Sequence, residues 1–388
     1  GVVQIVAPSS FNAPAGRMWI DDVTVTAHED PCDWPEFVHD FPVTAADAEG
    51  RIWMASLERP VDRGLIRLYR LDGAEPREVA TLDPAPCTAV APPAVAAGAD
   101  GCVVAFPVER DDRWRIACAF VADKGGAKPA VHTIAHGENA NINPAVAVHA
   151  GGATVLWETS ADGCRRIAAC RIGPKGPGPV ETLSPAGANA YNPAVVALDD
   201  GSLFAAWDVF RDGSADIDGA ECRDGRWSEP RRLTADPRIE RHPHLAARGR
   251  EVWMAWQAQA YPDSKINLVT EQRLCVARVD GDGLKAPKGH AEHVVGCPGR
   301  LLRPQVAFDP SGRLWLTARR SLGRQAGWEP LVWCCSGTAW FGPHRLLHES
   351  GRWRPVPMAW GDAGGRAVCQ FDDLPDAWRE MGVHPDWK

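Results

Sequence analysis

Residues 191–207 read YNPAVVALDDGSLFAAW. A proline opens the stretch, an apolar run follows, a glycine-containing turn interrupts it, and a second apolar run ends in tryptophan. Two short apolar runs around a DG, GG or SG turn signal a β-hairpin. The same unit recurs as DFPVTAADAEGRIWMAS from Asp40, APPAVAAGADGCVVAF from Ala91, INPAVAVHAGGATVLW from Ile142, RHPHLAARGREVWMAW from Arg241, LRPQVAFDPSGRLWLTA from Leu302 and WRPVPMAWGDAGGRAVCQF from Trp353. The anchor prolines are Pro42, Pro93, Pro144, Pro193, Pro243, Pro304 and Pro355. Their spacing is about 50 residues, with one longer interval before Pro304, and a period of that size marks a repeat architecture. A third apolar run follows, as in RWRIACAF (113–120), RRIAACRI (165–172) and QRLCVARV (272–279), though the seventh copy is short of strands. A fourth ends in phrases such as WSEPRRLT (227–234) and WFGPHRLL (340–347). Four strands per repeat match a propeller blade. The sequence therefore predicts an all-β fold: a seven-bladed β-propeller of four-stranded antiparallel blades over residues 40–388, preceded by a distinct segment, 1–39.

The phrases NPAVVALDDGSLFAAWDVFRDGSADI (192–217) and WSEPRRLT (227–234) resemble the sialidase-like and TolB-like propellers of bacterial proteins, the BNR-type repeat superfamily. That resemblance spans about residues 40–372 and implies a carbohydrate-active protein. The sialidase Asp-box is not reproduced; Ser160-Ala161-Asp162-Gly163 comes nearest. In the N-terminal segment, GRMWIDDVTVTA (16–27) resembles the last strand of a jelly-roll carbohydrate module. It is read as a remnant of such a module or as a strand that closes the last blade.

The chain has 388 residues, with 42 Lys and Arg against 50 Asp and Glu, a formal charge of −8. That balance lacks the basic footprint of a nucleic-acid binder. No run approaches the length of a membrane-spanning helix. Of twelve cysteines, Cys118, Cys170, Cys222, Cys275 and Cys334 fall at matching places in third strands, and Cys102 and Cys369 in second strands. Matching positions of neighbouring blades stand too far apart for disulfides, so these read as buried thiols. Cys32, Cys87, Cys164 and Cys297 read as loop residues able to pair. No CxxC pair suggests zinc. No cofactor is expected; a structural calcium among Asp212, Asp216 and Asp218 is the one metal alternative. The thiols favour a reducing compartment, whereas the resemblance favours a secreted or periplasmic one.

In a propeller the start of each innermost strand rings the channel mouth. Phe41, Pro92, Asn143, Asn192, His242, Arg303 and Arg354 precede the anchor prolines, and Val43, Ala94, Ala145, Ala194, His244, Gln305 and Val356 follow them. The second series is small or apolar except at His244 and Gln305, and such a local break in a repeated rule is where function is expected. The ends of the second strands add Glu158, Asp208, Gln257 and Asp372 to the same face. The loops beyond add Arg211, Tyr261, Arg319 and Arg320, and Tyr191 and Trp353 precede the ring. Taken singly, a carboxylate at a strand end more often caps a turn than catalyses.

Together these groups suit an acidic oligo- or polysaccharide, with no nucleic acid and no membrane as partner. Arginine forks bind carboxylates, and amides match sugar hydroxyls. The expected chemistry is lyase-type β-elimination on a uronate-containing polysaccharide. Arg303 would neutralise the carboxylate, His242 or His244 would take the C5 proton, and Tyr191 or Tyr261 would protonate the leaving oxygen. Asn143, Asn192, Glu158, Asp208, Gln257, Tyr261, Gln305, Arg354 and Trp353 would bind substrate. Two alternatives stand beside it: a glycoside hydrolase using Glu158 and Asp208, and a non-catalytic propeller that binds a glycan or a protein.

Overall fold

The computed structural model describes residues 39–345, apart from short stretches of which 261–270 is the longest, together with 359–361 and 366–368. Six successive sheets fill the first range, each an antiparallel meander in chain order. Blade 1 runs His39–Ala46, Ile52–Glu58, Leu65–Leu71 and Pro76–Leu82. Blade 3 runs Ile142–His149, Gly152–Ala161, Cys164–Gly173 and Gly176–Thr182, and blade 4 begins with Asn189–Ala197, Leu203–Arg211 and Ser214–Arg223. Blade 5 is built on Ile239–Arg248, Glu251–Ala260 and Glu271–Asp280, and blade 6 on Leu301–Phe308, Leu314–Ser321, Trp328–Ser336 and Ala339–Arg345. In blade 2 the innermost strand breaks into Thr88–Ala89 and Ala94–Gly98. Pro92 and Pro93 lie in the gap, and two prolines in succession supply no N–H to a ladder.

The hairpin between the first two strands needs glycine at particular places. Gly101 and Gly152 open the second strands of blades 2 and 3 at φ +144°, and a Cβ there would stand 2.0 Å from the Val121 carbonyl oxygen and 2.1 Å from that of Ile172. Backbone conformation and lack of space both exclude a side chain.

The core lies between blades. Side chains on a strand alternate between its two faces, and a second strand flanked by blades on both sides is apolar on both. In blade 2, Cys102, Val104, Phe106 and Val108 join the cluster with blade 1, while Val103 and Ala105 join the cluster with blade 3. Five such clusters, one for each successive pair of blades, account for the buried apolar residues grouped among the described residues. Trp157 sits between blades 2 and 3, Trp207 between 3 and 4, and Trp256 between 4 and 5.

The propeller has six blades, not the seven that the repeat count predicts. Among the described residues the seventh copy contributes a two-stranded ladder, Ala359–Gly361 with Arg366–Val368, which approaches the innermost strands of blades 1 and 6. The reason is visible in sequence: beyond Val368 the chain reads CQFDDLPDAWREMG (369–382), without the two further apolar runs that complete a blade. The reading of residues 1–38 as a jelly-roll remnant or closing strand lies outside the described residues, as do Cys32 and Cys369. The ten described cysteines are free thiols, and Cys164 begins a third strand rather than lying in a loop. Burial pushes the thiols of Cys118, Cys275 and Cys334 up to about 12. Replacing the fully buried Trp207 by alanine is expected to cost about 3–5 kcal/mol, read as a lowered urea midpoint. A midpoint within error of wild type would contradict the inter-blade core.

Candidate functional site

The innermost strands of blades 1, 3, 4, 5 and 6 carry the same irregularity at the anchor proline. The register with the second strand slips between Asp40 and Val43, Ile142 and Ala145, Tyr191 and Ala194, Arg241 and His244, and Leu302 and Gln305. These are β-bulges, in which one strand carries an extra residue. In blades 3 to 6 the residue before the proline takes up the slack in the left-handed region: Asn143 and Asn192 at φ +50°, His242 at +57° and Arg303 at +54°. Asparagine and histidine are among the residues that tolerate this region best, while a long side chain such as arginine adopts it rarely. Left-handed backbone outside glycine concentrates at functional sites, and here it recurs in four adjacent blades.

The bulges are held by acceptors at the ends of the second strands. Glu158 Oε1 accepts the Asn143 side-chain amide at 2.8 Å in its own blade and the Asn192 backbone N–H at 2.7 Å from the next. Asp208 repeats the arrangement. Its Oδ2 accepts the Asn192 amide at 2.7 Å and Arg241 Nε at 3.0 Å, and its Oδ1 accepts the His242 N–H at 2.9 Å. Gln257 Oε1 accepts the Arg303 N–H at 3.1 Å. Strand period explains the geometry: Glu158 and Asp208 follow Trp157 and Trp207 and therefore point to the opposite face, toward the next blade. All three acceptors are buried. Sequence reading placed them on the right rim, and the structure engages them in fastening blade to blade.

The corresponding position in blade 6 is Arg319, paired in register with Leu302 as Asp208 is with Tyr191. Sequence reading had left Arg319 in a loop; it lies within the second strand. A guanidinium donates and never accepts, so the alternation of bulge donor and strand-end acceptor stops there. Arg303 and Arg319 occupy the two positions that Asn192 and Asp208 fill in blade 4. No described residue hydrogen-bonds the Arg303 guanidinium. Desolvation, with Arg319 close by, lowers the pKa of the partly exposed Arg303, opposed by Asp208 and, more weakly, Glu158.

His242 stands beside this pair. Its Nδ1 is buried and has no hydrogen-bond partner among the described residues. Burial, together with the fields of Arg303, Arg241 and Arg319, brings its pKa down to about 3. The imidazole is therefore neutral at physiological pH. Arg241 also covers one face of the Tyr191 ring, 5.7 Å from its centroid. Burial raises Asp208 to about 6 despite Arg241 and the donors around it.

His244 behaves differently. Its Nδ1 accepts the Val306 N–H of blade 6 at 3.2 Å, and burial brings its pKa down to about 4. It ties blade 5 to blade 6 as an acceptor. Gln305 is half-buried on the innermost strand of blade 6, opposite Thr317. Tyr261, Trp353 and Arg354 lie outside the described residues. The three aspartates weighed as a calcium site do not converge: Asp216 and Asp218 are buried strand residues bound to Arg232 and Arg211, and Asp212 is a turn residue. No metal-ligating cluster is found among the described residues.

No protein-family model matches the chain, and no curated protein matches it. Among solved structures it is similar to the alpha-L-arabinanase of Penicillium chrysogenum complexed with arabinobiose, at 12% identity over 87% of this chain and 89% of that one, with a TM-score of 0.46. It is similar to the sialidase of Trypanosoma rangeli at 9% identity over 89% and 56% of the two chains, TM-score 0.46. Similarity to a prolyl endopeptidase is of the same order: 14% identity over 86% and 45%, TM-score 0.48.

Two expectations follow. Glu158→Ala strands the buried Asn192 N–H and the Asn143 amide, and is expected to cost about 1–3 kcal/mol in urea unfolding; an unchanged midpoint would contradict the fastening role. His242 and His244 have folded-state pKa values below the unfolded value near 6.5. The unfolded chain therefore binds protons that the native fold refuses, so stability is lost as pH falls from about 6.5 toward 4. His244→Gln is expected to flatten that dependence, and an unaltered slope in urea midpoints from pH 7 to 4 would overturn it.

Proposed function

We propose that the protein is a carbohydrate-active propeller that binds an acidic, uronate-containing glycan at the rim of blades 5 and 6 and cleaves it by β-elimination. The observation that carries this reading is the end of the donor–acceptor alternation. In blade 6 the guanidiniums of Arg303 and Arg319 stand at the positions where blades 3 and 4 pair an amide with a carboxylate, beside a buried imidazole nitrogen without a partner among the described residues. Arg303, whose guanidinium no described residue hydrogen-bonds, presents a ligand carboxylate with a planar fork.

Chemistry follows from the same placement. Neutralising the uronate carboxylate acidifies the proton on C5. His242, uncharged, takes that proton; the electron pair forms the C4–C5 double bond, and the C4–O bond breaks. Tyr191 donates its phenolic proton to the departing oxygen. A histidine depressed to about 3 is a weak base in the empty site. The arriving carboxylate offsets the guanidinium fields that depress it and restores its basicity. His244, already accepting a backbone N–H, is the less suited of the two imidazoles.

One observation favours hydrolysis as a second reading. Glu158 and Asp208 stand at equivalent positions of adjacent blades, and Asp208 has a pKa near 6, as a general acid requires. Against it, both carboxylates are occupied by internal donors. Incubation with uronate polysaccharides separates the readings. Elimination predicts a rise in ultraviolet absorbance from the unsaturated product, lost in Arg303→Gln and His242→Ala proteins that remain folded. Reducing ends without that absorbance would replace elimination by hydrolysis, and binding with neither would leave a non-catalytic glycan-binding propeller.

A further inference from the structure

Phe210 is one of three large apolar side chains exposed among the described residues, at 46%. Neither the core nor the chemistry above uses it. It lies two residues beyond Asp208 on the second strand of blade 4, and strand period places both side chains on one face. Tyr191 pairs directly with Asp208, and Asn189 with Phe210. Directly opposed residues share a face, so Tyr191 and Phe210 are diagonal neighbours there, about 7–8 Å apart by strand geometry. That face looks toward blade 5, because Asp208 on it accepts the His242 N–H and Arg241 Nε. An aromatic strip thus runs outward from the guanidinium cluster: His242 and Arg303 at the mouth, Tyr191 under Arg241, then Phe210 open to solvent.

We infer that Phe210 is the stacking platform of a second sugar-binding subsite, so that the site takes an oligomer rather than a single sugar. The inference rests on the acidic-glycan reading of the mouth. Pyranose rings expose an apolar face of C–H groups, and an exposed aromatic ring covers it while leaving the hydroxyls in water. A charged sugar anchored by its carboxylate at Arg303 places its neighbour along the strip. Asn189 is its cross-strand partner, its Oδ1 already accepting the Arg165 N–H of blade 3 at 2.8 Å, and Arg211 is next in sequence and already tied to Asp218. Stacking supplies affinity independent of charge, which lets the arginines select the sign of one residue and Phe210 select length.

Titration calorimetry with a monouronate, a uronate tetramer and a neutral tetramer, on wild type, Phe210→Ala and Phe210→Trp, tests this. The expected result is a tetramer affinity about tenfold weaker in Phe210→Ala and retained in Phe210→Trp, with monouronate affinity unchanged. Equal tetramer affinity in wild type and Phe210→Ala overturns the subsite and leaves the mouth intact. Phe210-dependent binding of the neutral tetramer alone supports the platform and overturns the acidic reading. Wild type that binds none of the three overturns both. Loss of monouronate binding in Phe210→Ala overturns the division of roles.

Discussion

The structure depends on burial between blades. A single four-stranded sheet exposes two apolar faces; only a neighbour on either side removes them from water. Val103 and Cys102, adjacent in sequence, feed two different cores. Stability therefore accumulates interface by interface, as in other repeat folds. The apolar clusters hold the blades face to face, while their angular placement at the mouth is set by Glu158, Asp208 and Gln257. Each of these acceptors reaches from one blade to a backbone N–H of the next.

That fastening also makes the site. In blades 3 to 6 the bulge puts one residue into the left-handed region, and Asn143 and Asn192 reach their own blade's strand end from there. Where amide meets carboxylate, as at Asn143–Glu158 and Asn192–Asp208, the pair is self-satisfied and inert. In blades 5 and 6 the residue types change to His242 with Gln257 and Arg303 with Arg319, while the backbone device persists. On the proposed reading, a position that is structural in blades 3 and 4 becomes a binding one in blade 6 without altering the fold.

Much of this was legible in sequence. The Pro-to-Trp unit named the architecture because its period-two apolar runs and glycine turns are local signals. The placement of His242, Arg303, Asn192 and Asp208 at strand starts and ends followed from topology. Blade number was misjudged because the seventh copy keeps the hairpin signal, while the sequence after it lacks the two further apolar runs of a full blade. Roles were misjudged where backbone partners decide them. Trp157-Glu158, Trp207-Asp208 and Trp256-Gln257 were a visible series of acceptors, but that they receive backbone N–H groups depends on a bulge that side-chain patterns do not report. Arg319 escaped the series because two residues separate Trp315 from Ala318, so the tryptophan no longer marks the strand end. His244 drew attention as a break in a small-residue rule; its partner, the Val306 N–H, is a backbone group of the next blade.

The central claim is the proposal that an anionic sugar binds at the Arg303 guanidinium. A crystal of the protein soaked with an acidic oligosaccharide tests it most directly. The account predicts a sugar carboxylate in contact with Arg303, with the sugar ring against His242. Electron density for the sugar at any other part of the molecule, with Arg303 facing only water, would contradict it.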